Sequence, residues 1–140
     1  MFELVYRSTS KNNINNDDIS IILKSSRVFN SKNDITGCLL YHNHEFIQIL
    51  EGEEKIVREL YARIEKNPMH DNIILLNESN INSKAFGSWS MAYYQLGSDD
   101  IKNIMEMLFI NNFVTLADLV DKPTHALKLF WYISKQLLLE

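Results

Sequence analysis

Gln48 draws attention first, because it places an amide in the middle of an otherwise apolar run, Phe46-Ile47-Gln48-Ile49-Leu50. An amide carries two donors and an oxygen with two lone pairs. Left unpaired in a core, it costs on the order of 1–3 kcal/mol. If the run is a central strand, Gln48 needs a polar partner within the core, and Tyr6 is a candidate. Pattern alone favours a structural Tyr–Gln hydrogen bond in a satisfied core over a cofactor site. Asn30 stands at the end of a helical stretch, where Asn often serves as a C-terminal cap. His42 and His44 lie two apart in a polar connection. Solvated turn histidines are far commoner than a metal site of two ligands, so no metal is expected. Cys38, the single cysteine, reads as a small buried hydrophobe; it allows neither an intrachain disulfide nor a multi-cysteine metal centre. There is no glycine-rich phosphate loop, no G-x-S-x-G elbow and no helical His pair with a Glu between, so the expectation is that the chain is not an enzyme.

The elements that hold these residues follow from periodicity. The chain has 140 residues, 46% of them apolar, with four Gly and two Pro, which fits a compact soluble fold. No apolar run approaches the roughly 18–20 residues that cross a bilayer, and the first residues lack the layout of a signal peptide. A cytoplasmic location without membrane attachment is expected. The net charge of −4 offers no general attraction for phosphates and disfavours direct nucleic-acid binding.

Residues 2–8 alternate as a strand, with Tyr6 on the same face as Leu4. After an Asn-rich loop at 12–16, to which no function attaches, Asp17 or Asp18 is expected to cap a helix. Its apolar positions are Ile19, Ile22 and Leu23, with Val28 a little beyond, and it ends near residues 30–34. Residues 35–41 and 45–51 form an antiparallel pair joined by His42-Asn43-His44. Ile56, Val57, Leu60 and Ile64 recur at steps of three and four and mark a second helix, which Asn67-Pro68 stops. Residues 73–76 and 89–94 read as two more strands. The order βαββαββ predicts a ferredoxin-like α+β sandwich, a five-stranded sheet with both helices on one face.

Residues 98–140 differ in character and are expected to form a C-terminal helical extension to a domain of residues 1–97. Its last segment carries Leu127, Phe130, Trp131, Ile133 and Leu137, too apolar all round for a free surface helix. In the strand at 45–51, Phe46, Gln48 and Leu50 point one way, and Ile47 and Ile49 the other, so both faces of the sheet are apolar. The C-terminal helices or a partner subunit are expected to cover the face that the two long helices leave.

Six pieces stand in order along the chain: Leu4-Val5-Tyr6-Arg7-Ser8; Ser26-Arg27 with Asn30; Ile35-Thr36-Gly37; Phe46-Ile47-Gln48-Ile49-Leu50-Glu51-Gly52; Arg63-Ile64 with His70; and Phe86-Gly87-Ser88-Trp89-Ser90-Met91. No single piece is diagnostic. As an ordered set over residues 2 to about 95, it resembles the BLUF family of blue-light photoreceptors. The resemblance implies FAD held non-covalently between the two helices, with FMN or riboflavin as alternatives. At the matching positions it implies that Asn30 bonds the ring's polar edge, that Gln48 bridges Tyr6 and the flavin, and that Tyr6 is the photochemical electron and proton donor. It further implies that Ile22, Phe46 and Leu50 wall the ring, that His70 lies near the mouth of the site, and that Trp89 and Met91 carry the output.

No cyclase, phosphodiesterase or DNA-binding segment follows residue 95, so the implied output is a change in tail docking, a homo-oligomer or contact with a downstream regulatory protein. Two positions depart from the family pattern. Asn67-Pro68-Met69-His70 stands where many members have Asp-x-Arg-His, and Phe29 precedes Asn30 where polar residues are common. One alternative on the same fold is an interaction module without photoactivity, or one that responds to temperature through weakened flavin binding. A small enzyme such as an acyl phosphatase is disfavoured, since no glycine-rich anion loop with an Arg is present.

Overall fold

Alternation in the strands and three-and-four spacing in the helices are realised as β1 (Phe2–Ser10), α1 (Asn16–Lys32), β2 (Thr36–His42), β3 (Glu45–Gly52), α2 (Glu54–Glu65), β4 (His70–Asn80) and β5 (Ala92–Leu96). The structure, a computed structural model, describes residues 1–11, 14–42, 44–85, 92–96 and 130. The sheet order is β4-β1-β3-β2-β5. Strands β1 to β4 pair antiparallel, and β5 lies along β2 in the parallel sense. This is an α+β fold with two helices on a mainly antiparallel sheet.

Register in the central pair sorts side chains between the two faces. Leu4 stands opposite Leu50, Tyr6 opposite Gln48 and Ser8 opposite Phe46. These positions share a core cluster with Ile19 and Leu23 of α1 and Val57 of α2, so both helices cover the face that carries Tyr6. On the other face Val5, Cys38, Leu40, Ile47 and Ile49 are fully buried as well, as a strand apolar on both sides requires. Phe130, the described residue of the expected extension, is helical and fully buried. The rest of that extension lies outside the described residues, as do Trp89 and Met91.

Three details of α1 correct the expectations. Its N-cap is Asn15, not Asp17 or Asp18. The Asn15 side chain accepts from the Asp18 N–H at 2.9 Å while the Asp18 carboxylate accepts from the Asn15 N–H at 3.0 Å, a reciprocal box that satisfies two otherwise orphaned donors. The two acids fall in the first turn instead, where the helix dipole favours them. The C-cap is Asn33, whose N–H bonds the carbonyls of Phe29 and Asn30. Val28 leaves the apolar stripe: six positions after Ile22, it has turned to the solvent side and is 52% exposed. Strand β4 is longer than its apolar centre suggests because it pairs along β1 from Phe2 to Ser10.

Gly37 marks the closest approach of β2 to β3. A Cβ built there would lie 2.0 Å from the carbonyl oxygen of Ile49 and 3.1 Å from its carbon. Only a residue without a side chain fits.

Candidate functional site

A cleft opens over the helix-covered face of the sheet, between α1 and α2. Tyr6 of β1, Leu39 of β2, and Phe46 and Gln48 of β3 form its floor. These four converge because β3 lies between β1 and β2: Gln48 is paired with Tyr6 on one side and Leu39 on the other, and Phe46 precedes it by one alternation. Ile22, Ser26 and Asn30 supply one wall, spaced four apart on a single face of α1. Leu60 and Ile64 repeat that spacing on α2, and Asn67, Met69 and His70 close the end.

Tyr6 and Gln48 are only 4% and 5% exposed, and the phenol donates a hydrogen bond to Gln48 Oε1. Burial pushes the Tyr6 phenol well above its ordinary value of 10.0, and the neighbouring Tyr61 adds to the shift. Desolvation disfavours the phenolate, so Tyr6 stands as a neutral donor whose proton is already directed at an acceptor. Its ring is held edge-on by Tyr61, 5.5 Å away with planes at 63°, and by His70 at 6.4 Å.

His70 bridges two elements. Its Nε2 lies 2.6 Å from the Ile64 carbonyl oxygen, and its Nδ1 lies 2.8 Å from Ser8 Oγ. A carbonyl can only accept, so Nε2 carries a hydrogen; in the neutral ring Nδ1 then accepts from the Ser8 hydroxyl. The bridge ties β1 to the last turn of α2 and sets the cleft's width at that end. On the opposite wall, the Asn30 carbonyl receives the N–H groups of Asn33 and Ile35 at 3.2 and 2.9 Å, which fixes the turn from α1 into β2 with the buried amide in the cleft lining. Phe29 turns away from the lining, and the Arg63 guanidinium stacks 4.7 Å above its ring, a cation–π contact that links the outer sides of α1 and α2.

Six of the expected site residues, Tyr6, Ile22, Asn30, Phe46, Gln48 and His70, line this one cleft. Leu50 does not; it is buried in the adjoining core. Trp89 and Met91 lie outside the described residues. Leu39 and Tyr61 were not singled out from the sequence, and Leu60 was read only as part of the α2 stripe, although signals for all three exist. Leu60 and Tyr61 continue the α2 stripe from Val57, and Leu39 alternates with Gly37 along β2. The Ser8–His70 contact, between residues 62 apart, has no local signal. Among the described residues no group of three or more His, Cys, Asp or Glu is placed to hold a metal, and no helix is long and apolar enough to cross a membrane.

Comparison with known proteins agrees with this geometry. The family model described as "Sensors of blue-light using FAD" matches residues 1–92. The blue light- and temperature-regulated antirepressor BluF of Escherichia coli (strain K12) is 28% identical over 106 residues, which are 76% of this chain and 26% of the antirepressor. A photoactivated adenylate cyclase subunit beta from Euglena longa is 30% identical over 89 residues, 63% of this chain and 10% of that protein. The chain thus spans about a quarter or less of the length of these curated relatives. Among solved structures, the photo-activated state of BlsA has 32% identity and a TM-score of 0.70, with 99% of this chain and 95% of that one covered. The dark state of BlrB, a BLUF protein, has 30% identity and a TM-score of 0.67 over 84% and 90% of the two chains. With the family match running from residue 1 to residue 92 through every strand and helix that builds the cleft, the chain belongs to the BLUF family, sensors of blue light that use FAD.

Proposed function

We propose that this chain is a photoreceptor in which the flavin ring lies in the α1–α2 cleft, Tyr6 is the electron and proton donor, and Gln48 is the group whose hydrogen bonds differ between dark and light. The observation that carries this reading is the buried Tyr6–Gln48 pair on the cleft floor. The donor set fits the cofactor. Ile22, Leu39, Phe46 and Ile64 offer apolar surface to the ring faces, and the Asn30 and Gln48 amides offer donors and acceptors to a ring edge that bears carbonyls and an N–H. Asn67 and Met69 bring a neutral amide and a thioether to the end of the cleft. Recognition there favours the uncharged part of the cofactor, and FMN or riboflavin remain alternatives to FAD.

The bound flavin supplies the chromophore and, once excited, a strong oxidant. Tyr6 responds as a neutral phenol: its O–H already points at Gln48 Oε1, so the proton leaves along that bond as the electron departs. Gln48 has a donor end and an acceptor end, and it rotates or tautomerises while Tyr6 is oxidised. When the electron and the proton return to Tyr6, the rearranged amide persists in the dark. Tyr61 and His70 keep the phenol ring in place throughout.

On this reading residues 1–97 are the sensor, Trp89 and Met91 lie on the way out, and the helices of 98–140 convey the change to a second copy or to a regulatory protein. Two relatives support an output by contact: BluF is an antirepressor, and the cyclase subunit shares only the portion matched here. A cytoplasmic location and no catalysis of its own go with this role. An absorption spectrum before and after blue light tests it. Purified protein is expected to be yellow and to show a reversible red shift that decays in darkness; a colourless protein that takes up no added flavin overturns the reading. The temperature named for BluF favours one second reading, a temperature response through flavin release, which would appear as loss of colour on mild warming without illumination.

A further inference from the structure

Glu51 lies on β3 three positions after Gln48, with its side chain on the other face of the sheet. The carboxyl group has no exposed surface, and such a group is costly to bury unless its oxygens are hydrogen-bonded. Both of them accept: Oε1 from Thr36 Oγ1 at 2.9 Å, and Oε2 from the backbone N–H of Ala85 at 2.6 Å. Thr36 is the register neighbour of Glu51 on β2, so the first bond stays within the sheet. The second leaves it. Ala85 lies beyond β4, on the connection that leads to β5.

The same short stretch is tethered at two other points. Ile81 N–H bonds the Met1 carbonyl at 2.9 Å, and Lys84 Nζ donates to the Asp34 carbonyl at 2.5 Å beside that residue's carboxylate. Of these three tethers, the one from Glu51 originates on the strand that carries Gln48; the others come from the start of the chain and the turn after α1. A short bond from a carboxyl oxygen to a backbone N–H is strongly directional. A displacement of β3 at that point would therefore act directly on the connection.

We propose that Glu51 is a positioning residue that couples the photoactive strand to the connection entering β5: a shift of β3 that accompanies the rearrangement of Gln48 is carried through the carboxyl group to Ala85. The proposal rests on the reading of Gln48 as the switch. It differs from that reading in what it moves, since Glu51 touches neither the cleft nor Tyr6.

The test uses the flavin-loaded 140-residue chain with Trp131→Phe, so that Trp89 is its remaining tryptophan. The flavin red shift and the change in Trp89 fluorescence on illumination are recorded together. The parent is expected to show both. Glu51→Leu, which has similar volume and no acceptor, is expected to keep the red shift and lose the Trp89 change. Glu51→Gln, whose amide oxygen can still accept from Ala85 N–H, is expected to keep both. Ala85→Pro removes the same bond from the donor side and is expected to behave as Glu51→Leu, which keeps the test open if the leucine variant does not fold. A full Trp89 change in Glu51→Leu or Ala85→Pro overturns the proposal, and so does a parent that shifts its flavin band with no Trp89 change. A parent with no red shift at all instead sinks the photoreceptor reading on which the proposal stands.

Discussion

Tyr6→Phe is expected to leave flavin bound and to abolish the lasting red shift after blue light. The substitution removes one oxygen from a residue that is almost fully buried and keeps the ring that packs edge-on against Tyr61 and His70. The cleft walls on α1 and α2 are untouched, so cofactor uptake is preserved. What disappears is the O–H that Tyr6 directs at Gln48 Oε1, and with it the coupled exit of proton and electron that permits the amide to rearrange. Loss of the bond is expected to cost about 1–3 kcal/mol of stability, since Gln48 Oε1 is then left without the phenol in a buried site. Tyr61→Phe is the control: its hydroxyl is not directed at Gln48, and the photocycle is expected to survive. Flash spectroscopy on the two variants decides the matter. A normal red-shifted state in Tyr6→Phe removes Tyr6 from the donor role.

Gly37→Ala is expected to be the most damaging single-methyl change in the sheet. The added carbon would sit 2.0 Å from the Ile49 carbonyl oxygen, and that oxygen belongs to the backbone of a central strand, not to a side chain that can swing away. Accommodation requires β2 to move off β3, and the pairs on either side of Gly37, Thr36 with Glu51 and Cys38 with Ile49, move with it. A loss of about 3–5 kcal/mol follows from overpacking at backbone contact, equivalent to a fall in Tm of about 10 °C or more for a domain of this size. Because Leu39 pairs with Gln48, flavin retention is expected to fall as well. Chemical denaturation of the wild type and variant measures the first effect, and the flavin content of the purified protein measures the second. A variant of unchanged stability would show that the two strands can separate there at no cost.

The sequence reported faces far better than distances. Alternation in residues 2–8 is enough to put Tyr6 on the side of Leu4, and the same rule puts Gln48 on the side of Phe46 and Leu50, because a strand's period of two leaves each side chain one choice of face; that the two stand opposite each other is set by the register of β1 on β3. The rule does not say where along that face the helices part. Leu50 shares a face with Gln48 and yet lies in the core, while Leu39, from another strand, lines the cleft. Asn15 and Asp18, three apart, are a readable capping signature, but an Asn-rich run around it hides the cap. Val28 shows the reverse error: an apolar side chain near the end of a stripe is counted into it although the helical phase has already carried it to solvent. The Ser8–His70–Ile64 bridge joins three separate segments, and the need for Gly37 arises from the approach of two backbones. Neither property belongs to any one stretch of residues. The flavin was never a matter of periodicity; it entered through the six ordered motifs.

Two groups in the interior of this sheet, one on each face, are also kept from ionising by burial. Tyr6 lies on the helix-covered face and Cys38 on the other, and burial raises both, the phenol from 10.0 and the thiol from 9.0. In the unfolded chain each ionises near its ordinary value, whereas the folded chain keeps both protonated. Unfolding therefore releases protons in alkali. The contribution of these groups is complete below about pH 9; above it, stability declines by about 1.4 kcal/mol per pH unit through the thiol, and above about pH 10 by as much again through the phenol, until the folded-state groups themselves ionise. Denaturant titrations between pH 8 and pH 11 are expected to show this steepening slope, and Cys38→Ala is expected to remove one proton from it. The neutrality that suits Tyr6 to light chemistry thus gives the fold an alkaline limit that no surface charge would predict.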